Sequence, residues 1–149
     1  MRSKIKIIVP VVLLLAGGGV YKFVIAKPVA GPPAKIHGTV YVLPKEFLVN
    51  LSGGRFAKLG VGLVLSEKDT SIAAAASNKE AVAPPDGFGP LPQEGAVRDI
   101  VTDTLTDRAD KDLIDRAGRE RLKKRILGAI RSKTDVRAED VLFTDVAVQ

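Results

Sequence analysis

The chain reads as an α+β protein: one N-terminal transmembrane helix, then a small antiparallel sheet packed with helices. Three observations predict this. A 22-residue stretch, Ile5–Ala26, carries only Lys6 and Lys22 as charges. Two alternating runs, Glu46–Leu51 and Phe56–Leu65, flank a paired-glycine turn, and a third, Val141–Gln149, ends the sequence. Between them, residues 94–130 carry apolar positions at helical spacing.

At about 1.5 Å rise per residue, Ile5–Ala26 is long enough as a helix to cover a hydrocarbon core of roughly 30 Å. Ile7, Val11, Leu14, Gly18 and Tyr21 would form this membrane anchor. Lys6 and Lys22 can extend their ammonium groups to the interfaces, and Tyr21 and Phe23 lie where rings favour the headgroup boundary. Gly17–Gly19 weaken a soluble helix but make a packing surface in lipid. A cleaved signal peptide is the competing reading, with Ile7–Leu15 as its apolar core. The uncharged run is long for that, and Val24–Ile25 resumes the apolar pattern. Three basic residues on each side make the orienting bias thin; the short basic N-terminus favours N-inside. The layout is thus a cytoplasmic end at 1–4, a span at 5–26, a linker at 27–44 and an outer domain at 45–149.

A formal charge of +6 suggests nucleic acid until it is located. Every charged residue ahead of Lys45 is basic, and from Lys45 onward 17 basic residues face 17 acidic ones. The domain is neutral overall and lacks the net field of a nucleic-acid binder. With no cysteine there is no disulfide frame and no thiol nucleophile. His37 is the single histidine, so neither a zinc site nor a Ser–His–Asp set is readily assembled. No cofactor is expected, and the reading is non-enzymatic.

Lys27–Ala34, rich in proline, is a linker. Lys35–Leu43 reads as extended, ended by Pro44. Phe47, Val49 and Leu51 share one face of the next strand, and Ser52–Arg55 is a hairpin turn. In the return strand Leu59, Val61, Leu63 and Leu65 face one way, and Lys58, Gly60, Gly62 and Val64 the other. Residues 66–93 are a flexible insertion, with short helical stretches at Ile72–Ala76 and Lys79–Ala83 and prolines beyond.

Glu94–Leu105 is an amphipathic helix through Val97, Ile100, Val101 and Leu105, with Asp99, Asp103 and Asp107 in a row at i, i+4. Asp107 or Asp110 caps a segment carrying Leu113, and Gly118 ends or kinks it. Leu122, Ile126 and Ile130 continue the helical pattern beside the basic cluster Arg119–Arg125. Both charged rows read first as solvated faces. In the last strand Leu142, Thr144, Val146 and Val148 lie opposite Val141, Phe143, Asp145 and Ala147.

Several of these segments together resemble the FliL family of flagellar basal-body-associated membrane proteins. They are the anchor, Phe47–Leu51, Leu59–Leu65, Val97–Ile100, Gly118–Leu122 and Val141–Gln149, with Phe47, Asn50, Arg98, Asp99, Gly118 and Phe143 as the motif positions. The insertion is longer than the family pattern, and Leu142 stands where an aromatic is common. The resemblance implies a single-pass inner-membrane protein with an outer, stomatin/prohibitin-like (SPFH) domain. It further implies oligomerisation around the ion-conducting stator of the flagellar motor, in support of rotation and motility. Asp99, Asp103 and Asp107 on one side and Arg119, Lys123 and Arg125 on the other are the candidate interface. A membrane-tethered envelope scaffold with no flagellar role is the rival reading.

Overall fold

The computed structural model describes residues 35–77 and 83–149. The proposed anchor with Ile7, Val11, Leu14, Gly18 and Tyr21, the linker to Ala34, and 79–82 of the second helical stretch lie outside the described residues. Among those described, no helix is long and apolar enough to cross a membrane.

The α+β architecture is present as a two-layer fold. Strands β1 (Thr39–Val42), β2 (Phe47–Asn50), β3 (Phe56–Leu65) and β4 (Ala138–Val148) form one antiparallel sheet. β3 is its spine. β1 and β2 lie end to end along one edge of β3, with Thr39 opposite Leu65 and Phe47 opposite Leu59. β4 runs along the other edge, with Ala57 opposite Val148 and Leu63 opposite Val141. β1 therefore belongs to the sheet, ahead of the boundary drawn at Lys45.

The hairpin turn needs its glycines. Gly53 and Gly54 have φ of 74° and 72°, values that cost a side-chain-bearing residue strain. Odd-numbered positions of β3 then face the helices. Ala57, Leu59, Val61, Leu63 and Leu65 are almost wholly buried, at about 1.5–3 kcal/mol for each large side chain. Even-numbered positions face away, on a side that no helix covers among the described residues.

The helices are α1 (Ser71–Ser77), α2 (Glu94–Leu105), α3 (Asp110–Ile114) and α4 (Arg116–Lys133). α2 contributes Val97, Ile100, Val101 and Leu105 to the core, α3 contributes Leu113, and α4 contributes Leu122, Ile126 and Ile130. The described ends of the insertion are tied down. Asp69 accepts the Ser71 N–H at 2.9 Å and the Arg137 N–H at 3.3 Å. Leu91 is buried in the core.

Four local expectations are corrected. Asp107 is not on the acidic helical row: α2 stops at Leu105, Thr106 is extended, and Asp107 turns with φ of 58°. Aspartate tolerates that left-handed region better than most residues, and the Asp107 N–H is used by the Asn50 carbonyl at 3.0 Å. Neither Asp107 nor Asp110 caps α3, whose N-cap is Ala109. Gly118 neither ends nor kinks a helix. It is buried inside α4, and a Cβ there would overlap the Asp112 backbone, so glycine permits the close approach of α3. In β4 the simple alternation fails. Val61 pairs with Phe143 but Leu59 with Val146, so an extra residue forms a bulge near Thr144. Val141, Phe143, Val146 and Val148 thus lie on the helix side, opposite odd positions of β3.

Candidate partner-binding surface and its buried support

Glu94 opens α2 on the same helical stripe as Val97 and Val101, and is 3% exposed. A buried carboxylate needs hydrogen-bond donors and a counter-charge. One oxygen, Oε2, accepts the Tyr41 hydroxyl at 2.6 Å and the Gly89 N–H at 2.8 Å. The other, Oε1, faces Arg98 Nη1 at 3.8 Å, one turn along the helix. Carboxylate charge at a helix N-terminus is also favoured by the helix dipole. Burial, then the hydrogen bond to Glu94 and its negative charge, push the Tyr41 hydroxyl pKa well above its ordinary value.

Arg98 completes the cluster. Its Nη2 donates to the Lys45 carbonyl at 3.1 Å. Its guanidinium carbon lies 4.5 Å from the centre of the Phe47 ring and 5.7 Å from that of Phe88, geometry that draws the cation onto the ring faces. Glu94 and Arg98 therefore fasten β1, the corner before β2, and the strap at 86–91 to α2. The node is a structural clamp that fixes how α2 presents its outer face.

That outer face is acidic. Asp99 and Asp103 are exposed, and neither is ion-paired among the described residues. α4 offers the opposite sign. Of its candidate cations, Arg119 is turned inward, donating to the Leu113 and Ile114 carbonyls at 2.8 and 2.6 Å. Those are the free carbonyls at the end of α3, which need donors. Lys123 pairs with Glu120 at 2.6 Å; this bond, with the nearby Lys123 charge, holds the Glu120 carboxyl below its usual range. Arg125 is exposed, as are Lys124 beside it and Arg116 at the start of the helix.

The motif positions divide by role. Phe47 and Arg98 belong to the clamp, Gly118 to the α3–α4 contact, and Phe143 packs half-buried against the core. Asn50 receives the loop after α2 through its carbonyl, and Asp99 is on the acidic face. Tyr41, Glu94 and Gly89 were missed as a set. A glutamate in register with Val97 and Val101 is the signal that could have found Glu94; Tyr41, 53 positions away, has no local signature.

An open cleft of about 300 Å³ beside Lys45, Phe47, Leu48 and Lys58 borders the clamp, and a second of about 230 Å³ lies beside Lys68, Asp69, Ser71, Asp135 and Arg137. In the second, burial raises the Asp69 pKa, but bonds from Ser71 and the Arg137 N–H outweigh it and hold the carboxyl below its ordinary value. Among the described residues no group of three or more His, Cys, Asp or Glu side chains is placed to hold a metal ion.

A search of curated proteins finds no match to the chain. The family model described as flagellar basal body-associated protein FliL matches residues 40–149, from within β1 to the last residue. This match covers the sheet, the clamp and both charged helices, and on it the chain belongs to the FliL family, whose role is structural and associated with the flagellar basal body.

Proposed function

We propose that this protein is anchored in the inner membrane by Ile5–Ala26, N-terminus inside, and that its outer domain forms a ring around the motor stator. There it supports flagellar rotation and swimming without catalysing a reaction, and its domain is of the stomatin/prohibitin-like class. Family membership supports the basal-body setting. The observation behind the ring is a pair of unlike charged surfaces: Asp99 and Asp103, exposed on α2, and Lys124 and Arg125, exposed on α4. Two unlike patches on one molecule make a head-to-tail contact, the type that closes rings. Confinement to a membrane plane raises effective concentration, so weak contacts suffice. Arg119 and Lys123 act inside the subunit and leave the contact to their neighbours.

Two measurements test the reading. Asp103→Arg in the full chain should lower the oligomer fraction, and Arg125→Glu added to it should restore part; an unchanged oligomer with Asp103→Arg rejects the interface. Deleting the gene should leave filaments in place but weaken swimming as viscosity rises. Normal swimming at every viscosity rejects the motor role and favours an envelope scaffold.

A further inference from the structure

Most glycines here serve the subunit that contains them. Gly53 and Gly54 make the hairpin turn through positive φ, and a Cβ at Gly60, Gly89 or Gly118 would overlap a neighbouring group. Gly128 does neither. It lies in the interior of α4, well away from both ends, and its φ is not positive. It is exposed, and nothing stands within 4 Å of the place its Cβ would take. At such a position glycine weakens a helix relative to alanine, and no contact among the described residues repays that weakness.

Lys124 and Arg125 stand one turn before Gly128 and Ser132 one turn after it, at the i−4, i−3 and i+4 positions that share its face. All three are exposed, and neither cation is ion-paired among the described residues. The missing side chain thus leaves a dent beside two unpaired positive charges. α2 carries the counterpart. Gly95, Asp99 and Asp103 follow one another at i, i+4 and i+8 on its exposed side, and a Cβ at Gly95 would come no nearer than 3.9 Å to another group, the Phe88 ring. Thr102, exposed beside the two aspartates, bonds its hydroxyl back to the Arg98 carbonyl at 2.9 Å, so its polar atom needs no further partner.

We infer that Gly128 is the point at which α2 of a second copy of this chain crosses α4. Charge selects the occupant: the dent is flanked by Lys124 and Arg125, and the exposed row of α2 supplies Asp99 and Asp103 at a spacing of one helical turn. Two helices that pack through their i±4 rows cross at about −50° with axes about 8–10 Å apart. A glycine at the crossing permits the near end of that range, where Thr102 fills the dent and the aspartates reach the two cations. The contact rests on the head-to-tail reading of the ring and names where it closes.

The full-length chain has no native cysteine, which makes cross-linking clean. Thr102→Cys and Gly128→Cys versions of it, mixed in the membrane and mildly oxidised, should give reducible dimers at least about tenfold above either version alone, because only the mixture places two thiols within disulfide reach. Dimer no greater in the mixture overturns the inference. Gly128→Gln adds bulk without charge and suits a helix better than glycine. Its melting temperature should hold or rise while the oligomer fraction falls several-fold; an oligomer fraction equal to that of the native chain overturns the inference as well. Asp103→Arg separates the two levels. If it lowers the oligomer fraction and Gly128→Gln does not, the head-to-tail ring stands and this crossing falls; if neither lowers it, both fall.

Discussion

The two faces of β3 are built from the same ten residues and do different things. Its odd positions are apolar, large except for Ala57, and sealed beneath α2 and α4. Its even positions are Phe56, Lys58, Gly60, Gly62 and Val64, on a side without a helix among the described residues. Gly60 and Gly62 leave room there for side chains from β4 and β1: a Cβ at Gly60 would overlap Thr144, and one at Gly62 would touch Leu142 and Val42. Gly60, Gly62 and Val64 are nonetheless buried, so freedom to vary as a surface falls to the exposed Phe56 and Lys58. Substitutions at the sealed positions and at the exposed ones should differ by several kcal/mol.

The largest effect is expected from Leu63→Ala, on the sealed face at 0% exposure. Loss of transfer energy plus a residual cavity should cost about 4 kcal/mol, read from the denaturant midpoint. A cost near that of an exposed site would break the comparison. Glu94→Ala comes next. It strands Arg98 against Phe47 with its counter-charge gone and removes the acceptor for Tyr41 and Gly89, for about 3 kcal/mol. Faster hydrogen exchange at the Gly89 amide should accompany it; an unchanged amide would mean that the strap is held by Leu91 alone.

Tyr41→Phe sharpens the same point through pH. The folded-state pKa of Tyr41 is raised, so the folded protein favours the neutral phenol. That contribution is fully present below the unfolded value of about 10 and is lost as pH rises above it. Alkaline denaturation should therefore be flatter in Tyr41→Phe than in the native chain, with a cost of about 1 kcal/mol at neutral pH. Parallel curves for the two proteins would contradict the assigned cause. The smallest effect belongs to Leu48→Thr. Leu48 is 71% exposed, and the change should stay within about 0.5 kcal/mol.

How far these differences were legible depends on the range of the interaction. Alternation in Phe47–Leu51 and Phe56–Leu65 revealed both strands and the sealed face, because period two is a local signal. α2 and the later helical pattern were legible for the same reason. The bulge in β4 was not: Val141–Gln149 alternates smoothly on paper, and only the mismatch with β3 forces the extra residue. Asp107 looked continuous with Asp99 and Asp103 because spacing alone does not show where Asn50 captures the chain. Arg119 looked like part of a charged surface, yet the open end of α3 claims it. The exposed charges of α2 and α4 were legible as sign and position, whereas the clamp joins residues too far apart in sequence to announce each other.

The clamp also has a mechanical consequence. β1 is the first strand of the sheet, so tension on the preceding chain arrives at Thr39. Along the strand axis, that pull loads the β1–β3 hydrogen bonds together, in shear, instead of peeling them one by one. The Tyr41–Glu94 bond adds a lateral anchor from the strand to α2, whose far end is held to β2 through Asp107 and Asn50. Force entering at the N-terminal side is thereby passed to the helical layer before the core strands need separate.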